Sequence, residues 1–160
     1  MTSRPLALAR RIVLVASLLV GPGLVVTAAP AQAYTPSVST TAAFEARVIY
    51  QINVQRARYN KRALTATWCP DWYAEHWAPY LARTGLFYHR SMDQILRGCH
   101  AARAAENLAR GYNHADALVY AWMASPPHRA NVLDPLLTRI GVAAAYANGQ
   151  WTVVADFTRP

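Results

Sequence analysis

Two hydrophobic rhythms divide the chain. Ile12 to Ala29 is largely apolar, broken by Gly21-Pro22-Gly23, and only from Thr41 does a helical spacing set in. Phe44, Val48, Ile52 and Tyr59 then share a face with Ile49 beside it, which predicts a first helix with Glu45 in its first turn, where the helix dipole favours an acid. Lys61 to Thr67 reads as a connection whose Leu64 returns to the core. Asp71 to Arg83 predicts a second helix, with Trp72, Trp77 and Tyr80 supplying its bulk and Thr84-Gly85 stopping it. Met92 to Gly98 suits a short helix, and His114 to Ala124 a third main helix with Leu118, Val119 and Trp122 inward. A new helix is expected after Ser125, a strong N-cap residue, because Pro126 fits the first helical position. Thr138 to Tyr146 and Trp151 to Phe157 are apolar or alternating, and the Asn148-Gly149 between them signals a hairpin. Helices followed by an antiparallel pair place the chain in the α+β class.

The first rhythm reads as export. Arg4, Arg10 and Arg11 precede the apolar run with no acid among them, and Ala31-Gln32-Ala33 supplies a small-x-small cleavage site, so residues 1–33 are expected to be a secretory signal peptide. The Ser/Thr-rich stretch 34–43 is expected to be a flexible lead and 44–160 the domain proper, a secreted extracellular monomer with no membrane span once the signal is removed. From Tyr34 onward 13 basic side chains face 8 acidic ones. For an exported protein that balance favours anionic envelope polymers or lipid headgroups as neighbours, and argues against nucleic acid as a partner. Cys69 and Cys99 are the only cysteines, so one disulfide is expected. Closing a loop of about 30 residues stabilises a fold by roughly 3 to 4 kcal/mol in the chain-entropy treatment.

The candidate chemistry lies in three places. Glu106 sits among small apolar residues, and such a carboxylate must face a cleft or meet a cation or imidazolium. Trp122 to Asn131 reads WMASPPHRAN and places His128 in the first turn of the new helix, facing a groove, while Trp122 and Val132 point inward. Phe87-Tyr88-His89 presents another imidazole from a loop.

WMASPPHRAN closely resembles the W-x-x-S-P-x-H-R-x-N block of bacterial CAP-superfamily domains, relatives of cysteine-rich secretory proteins, insect antigen 5 and plant pathogenesis-related proteins. The resemblance extends through Phe87-Tyr88-His89-Arg90-Ser91, Glu106-Asn107-Leu108 and Arg139-Ile140-Gly141-Val142, and Asn53 and Arg56 match the family's N-x-x-R. It implies a three-layer α-β-α sandwich with a small antiparallel sheet, to which the Glu106 segment adds a strand. It also implies a central groove in which His89 matches the first histidine, Glu106 the first glutamate and His128 the second histidine. Ser125 stands where many eukaryotic members carry a second glutamate. Two imidazoles and a carboxylate are a set that suits a divalent cation such as Zn²⁺ with an open position for water activation; they equally suit a metal-free hydrogen-bonded cleft. Arg129 and Asn131 are expected to lock the loop through backbone carbonyls, and Asn53 and Arg56 to be solvated or to bind loop carbonyls. The functions implied are an extracellular binding module for a lipid, peptide or envelope component, a metal-assisted, peptidase-like hydrolase with His89, Glu106 and His128 as candidate catalytic residues, or a scaffold acting through its arginine-rich surface.

Overall fold

Helix α1 (Val38–Arg58) opens the part of the chain, residues 38–160, that this computed structural model describes. The expected signal peptide, its cleavage site and the lead up to residue 37 lie outside the described residues. The lead was expected to reach residue 43, but residues 38–43 are helical, since no proline or glycine follows Pro36 until Pro70. Glu45 is therefore well past the first turn. Its Oε1 accepts the Ala144 backbone N–H at 2.8 Å instead, tying α1 to a strand.

After α1 come β1 (Thr65–Ala66), α2 (Trp68–Thr84), α3 (Met92–Gly98), β2 (Arg103–Arg110), α4 (Ala115–Ala124), α5 (Pro126–Leu133), β3 (Arg139–Ala147) and β4 (Gln150–Arg159). The strands lie in the order β1-β3-β4-β2. β4 pairs antiparallel with both β2 and β3. The sheet is not wholly antiparallel, as had been expected, because β1 runs parallel to β3 through Thr65 opposite Arg139. Asn53 accounts for this strand: its side chain accepts the Leu64 N–H at 2.8 Å and donates to the Leu64 carbonyl at 3.0 Å, holding the connection beside the edge of β3. At the β3–β4 hairpin both Asn148 and Gly149 have positive φ, the pairing that a two-residue turn needs to match strand twist.

The result is an α-β-α sandwich. On one face Ile140, Val142, Val153 and Phe157 pack against Val48 and Ile52 of α1, Leu118 and Trp122 of α4 and Val132 of α5. On the other, Leu108, Ala143 and Val154 meet Ala74, Ala78 and Leu81 of α2. The inward stripe of α2 is thus mostly alanine; Trp77 and Tyr80 are half-buried and pack against its edge, while Trp72 is exposed. Small residues let α2 press onto β3, and a Cβ at Gly141 would run into the backbone of Pro70 and Asp71. Cys69 and Cys99 form the expected disulfide with Cα atoms 5.7 Å apart, joining α2 to the residue after α3.

Arg56 takes the second of its two expected roles, and Arg129 departs from its own. Arg56 is 1 % exposed and donates to the carbonyls of Arg62 (2.7 Å), Val132 (2.8 Å), Asp134 (2.9 Å) and Leu137 (3.2 Å), so it is the arginine that locks the loops. Arg129 is exposed and lies over the Tyr59 ring at 5.0 Å rather than binding loop carbonyls, because its position on α5 faces solvent. Arg56→Met leaves buried carbonyls without donors and is expected to lower stability by about 3 kcal/mol or more, whereas Arg129→Ala loses only a surface stack of about 0.5 to 1 kcal/mol. Urea unfolding of both variants checks this; a larger loss for Arg129→Ala contradicts it.

Candidate functional site

Glu106 lies on β2, facing the α2 side of the sheet, and is 4 % exposed. Its Oε1 meets His89 Nδ1 at 2.7 Å and accepts the Arg90 backbone N–H at 3.2 Å, both from the loop after α2. The imidazole partner expected for a buried acid is present. Burial raises the Glu106 carboxyl above its ordinary value, and His89 and Arg90 oppose that rise. Its second oxygen, Oε2, is buried without a hydrogen-bond partner.

The next residue points to the opposite face, as strand geometry requires. Asn107 Nδ2 donates to the His128 carbonyl at 3.1 Å, and Asn131 Nδ2 donates to Asn107 Oδ1 at 2.9 Å and to the Glu106 carbonyl at 3.3 Å. The amide chain clamps α5 to β2, as expected of Asn131. Trp122 completes the attachment from α4, donating its indole N–H to the Leu108 carbonyl at 3.0 Å.

Ser125 occupies the N-cap position of α5, but its hydroxyl caps no backbone N–H and lies 2.8 Å from His128 Nδ1. The two prolines explain this. Pro126 and Pro127 carry no N–H, so the donor that a cap residue would usually bind at the second helical position is missing. The Ser125 carbonyl still accepts the Arg129 N–H at 2.8 Å. Burial, followed by the charge of His89, lowers the His128 pKa, which puts the two imidazoles in one electrostatic neighbourhood.

They nevertheless line different cavities. His89 and Glu106, with Met92 and Asn131, border one of about 290 Å³, while Ser125 and His128, with Phe87, Leu108 and Trp122, border one of about 320 Å³. The candidates are brought together as two pairs, His89 with Glu106 and Ser125 with His128. Among the described residues no group of three or more His, Cys, Asp and Glu side chains is placed to hold a metal ion. The anticipated His89, Glu106 and His128 set is not among such groups: His89 Nδ1 meets Glu106, whereas His128 Nδ1 meets Ser125.

Asp156 belongs to this site and was not singled out from the sequence. It is the cross-strand partner of Glu106, is fully buried, and has no hydrogen-bond partner on either carboxyl oxygen. Burial, then the nearby Glu106 charge, pushes its pKa well above the ordinary aspartate value, against the pull of Arg90. The signal was available as an acid inside an otherwise apolar strand, but it was absorbed into the hydrophobic run.

A sandwich of this topology, with the His89–Glu106 and Ser125–His128 pairs on either side of β2, is the arrangement of a CAP domain. The sequence pattern described as the cysteine-rich secretory protein family, CAP, matches residues 49–157, and the chain belongs to that family. The uncharacterized protein YkwD of Bacillus subtilis (strain 168) is 28% identical over 133 residues, covering 79% of this chain and 52% of that protein. The chain therefore spans about half the length of that relative. An extracellular protein containing a SCP domain from Bacillus anthracis superposes with a TM-score of 0.70 at 20% identity, covering 79% of this chain and 45% of that one. An outer surface protein from Borrelia burgdorferi superposes at 0.65 with 19% identity, covering 70% and 89% respectively. These structural likenesses establish the fold.

Asp156→Asn tests the buried acid. With its folded pKa raised, Asp156 keeps a proton that the unfolded chain releases, so its contribution to stability is complete below the ordinary aspartate range and is lost as pH rises. The wild-type melting temperature is expected to fall from about pH 4 to about pH 8 more steeply than that of Asp156→Asn, which is the more stable of the two at the upper end. Parallel pH profiles, or a variant less stable at high pH, contradict a protonated Asp156.

Proposed function

We propose that the protein is an exported extracellular binding module that takes a peptide, lipid or cell-envelope component in the two neighbouring recesses lined by His89 and by His128. The observation that carries this reading is the His89–Glu106 contact, in which an imidazole that is 57% exposed rests on a carboxylate that is 1% exposed. An ionised carboxylate only accepts hydrogen bonds, so Glu106 fixes the His89 Nδ1–H and leaves the neutral ring's Nε2 as an outward acceptor. The neighbouring cavity adds apolar walls from Phe87, Leu108 and Trp122, and a mainly apolar recess with a few fixed polar groups is the usual form of a ligand site.

Export is supported by the signal-peptide pattern of residues 1–33 and by relatives described as extracellular or as an outer surface protein. Among the described residues no helix is long and apolar enough to cross a membrane. The hydrolase alternative has only the His89–Glu106 pair in contact, and no reaction step is derived from it.

Two probes test the reading by NMR: a hexapeptide library, and short-chain phosphatidylglycerol kept below its micelle concentration. Binding of at least one is expected to move the signals of His89, Ser125 and His128, with His128→Ala weakening it by about tenfold, or 1.4 kcal/mol, at an unchanged melting temperature. Failure of both probes to bind, or binding indifferent to His89→Ala and His128→Ala alike, contradicts it.

A further inference from the structure

Behind the histidine groove, the outer side of α2 carries a second recess that the proposed function does not use. Trp68, Trp72 and His76 follow one another at four-residue spacing and form an exposed stripe; Trp68 is 75% exposed and Trp72 42%. The Trp72 and His76 rings lie 4.1 Å apart, and the His76 Nδ1–H is occupied by the Trp72 carbonyl at 2.6 Å. Facing this stripe across a groove of about 530 Å³ are Arg90, Gln94 and Arg97.

The groove is held open by construction. The disulfide joins α2, at Cys69, to Cys99 directly after α3, so its two walls are covalently linked. Its floor is Tyr73 packed onto Gly98, where any added side chain would collide with the Tyr73 hydroxyl. Arg90 is fixed over two rings, Tyr73 and Trp77, at 4.9 Å each. Its Nε is buried without a hydrogen-bond partner, and its charge also acts on Glu106 and Asp156 behind it.

The lining has two guanidinium groups, an imidazole and a side-chain amide, and no carboxylate. Asp93 approaches Arg97 only at 3.7 Å with both side chains largely exposed, a pair of the kind that contributes little and leaves the cation free for another anion. An exposed indole face beside guanidinium donors suits a sugar ring that also bears a carboxylate: the C–H face of the pyranose chair stacks on the indole, and the carboxylate takes the fork of an arginine. A bilayer surface would meet the projecting Trp68 and Trp72, whereas a segment lying in the groove also meets Arg90 and Arg97 on its other wall.

We infer that the groove between α2 and α3, walled by Trp72, His76, Arg90 and Arg97, is a second binding site, for an acidic saccharide segment. Isothermal titration with tetragalacturonate is the test, using cellotetraose as the uncharged counterpart. Tetragalacturonate is expected to bind at least about tenfold more tightly than cellotetraose, and Trp72→Ala and Arg97→Gln each to weaken it by about fivefold or more. Both side chains are exposed, so neither variant threatens the fold. His128→Ala leaves this binding unchanged, which separates the result from the fate of the histidine groove. The inference is overturned if tetragalacturonate does not bind, if both groove variants bind it as tightly as the wild type does, or if phosphatidylglycerol vesicles or single-stranded DNA engage Trp72 and Arg97 while the saccharide does not.

Discussion

An acid buried on a strand constrains everything placed around it. Glu106 has left water, and a carboxylate in that position needs donors or a proton. Its donors come from His89 and the Arg90 backbone, so the loop leaving α2 is held across β2 by the carboxylate it covers. Asp156, opposite on β4, adds a second acid with no donor of its own. Two buried carboxyls on one face resist ionising together, and Asp156, the more deeply buried, is the one that retains its proton. An ionisable cluster has thus been built beneath a solvent-facing imidazole.

The other face of the same dipeptide does mechanical work. Asn107 and Asn131 hold α5 against β2, while Arg56, buried on α1, gathers carbonyls from the last turn of α5 and the segment after it. His128 is therefore placed by neutral amides and by an arginine bonded to backbone, not by ion pairs with the site's acids. This separates position from protonation: the charge state of the Glu106 cluster can change without releasing the helix that carries His128.

Local chemistry made much of this fold legible. The Asn148-Gly149 turn, the stop at Gly85, the lone cysteine pair and the corner at Ser125-Pro126 each follow from the conformational demands of a few adjacent residues. The His89–Glu106 contact was legible for a different reason, since an acid among small apolar residues must find a partner. What escaped depended on tertiary packing. Nothing in the residue type distinguishes Arg56 from Arg129, yet one is enclosed and the other stacks on a surface tyrosine. The alanine stripe of α2 left Trp68 and Trp72 exposed and Trp77 at its edge, because a helix lying against Gly141 has no room for rings between them. The Ser125 hydroxyl turned to His128 once proline had removed a backbone donor, and Asp156 was hidden by the very apolar run that buries it.

The most direct test is an NMR titration of the side-chain carboxyl carbons of Glu106 and Asp156 in the wild-type protein. The account predicts that both carboxyls titrate above their ordinary values, Asp156 by the larger margin. Both carboxyls ionising at or below their ordinary values would show that the buried cluster does not exist in the form described.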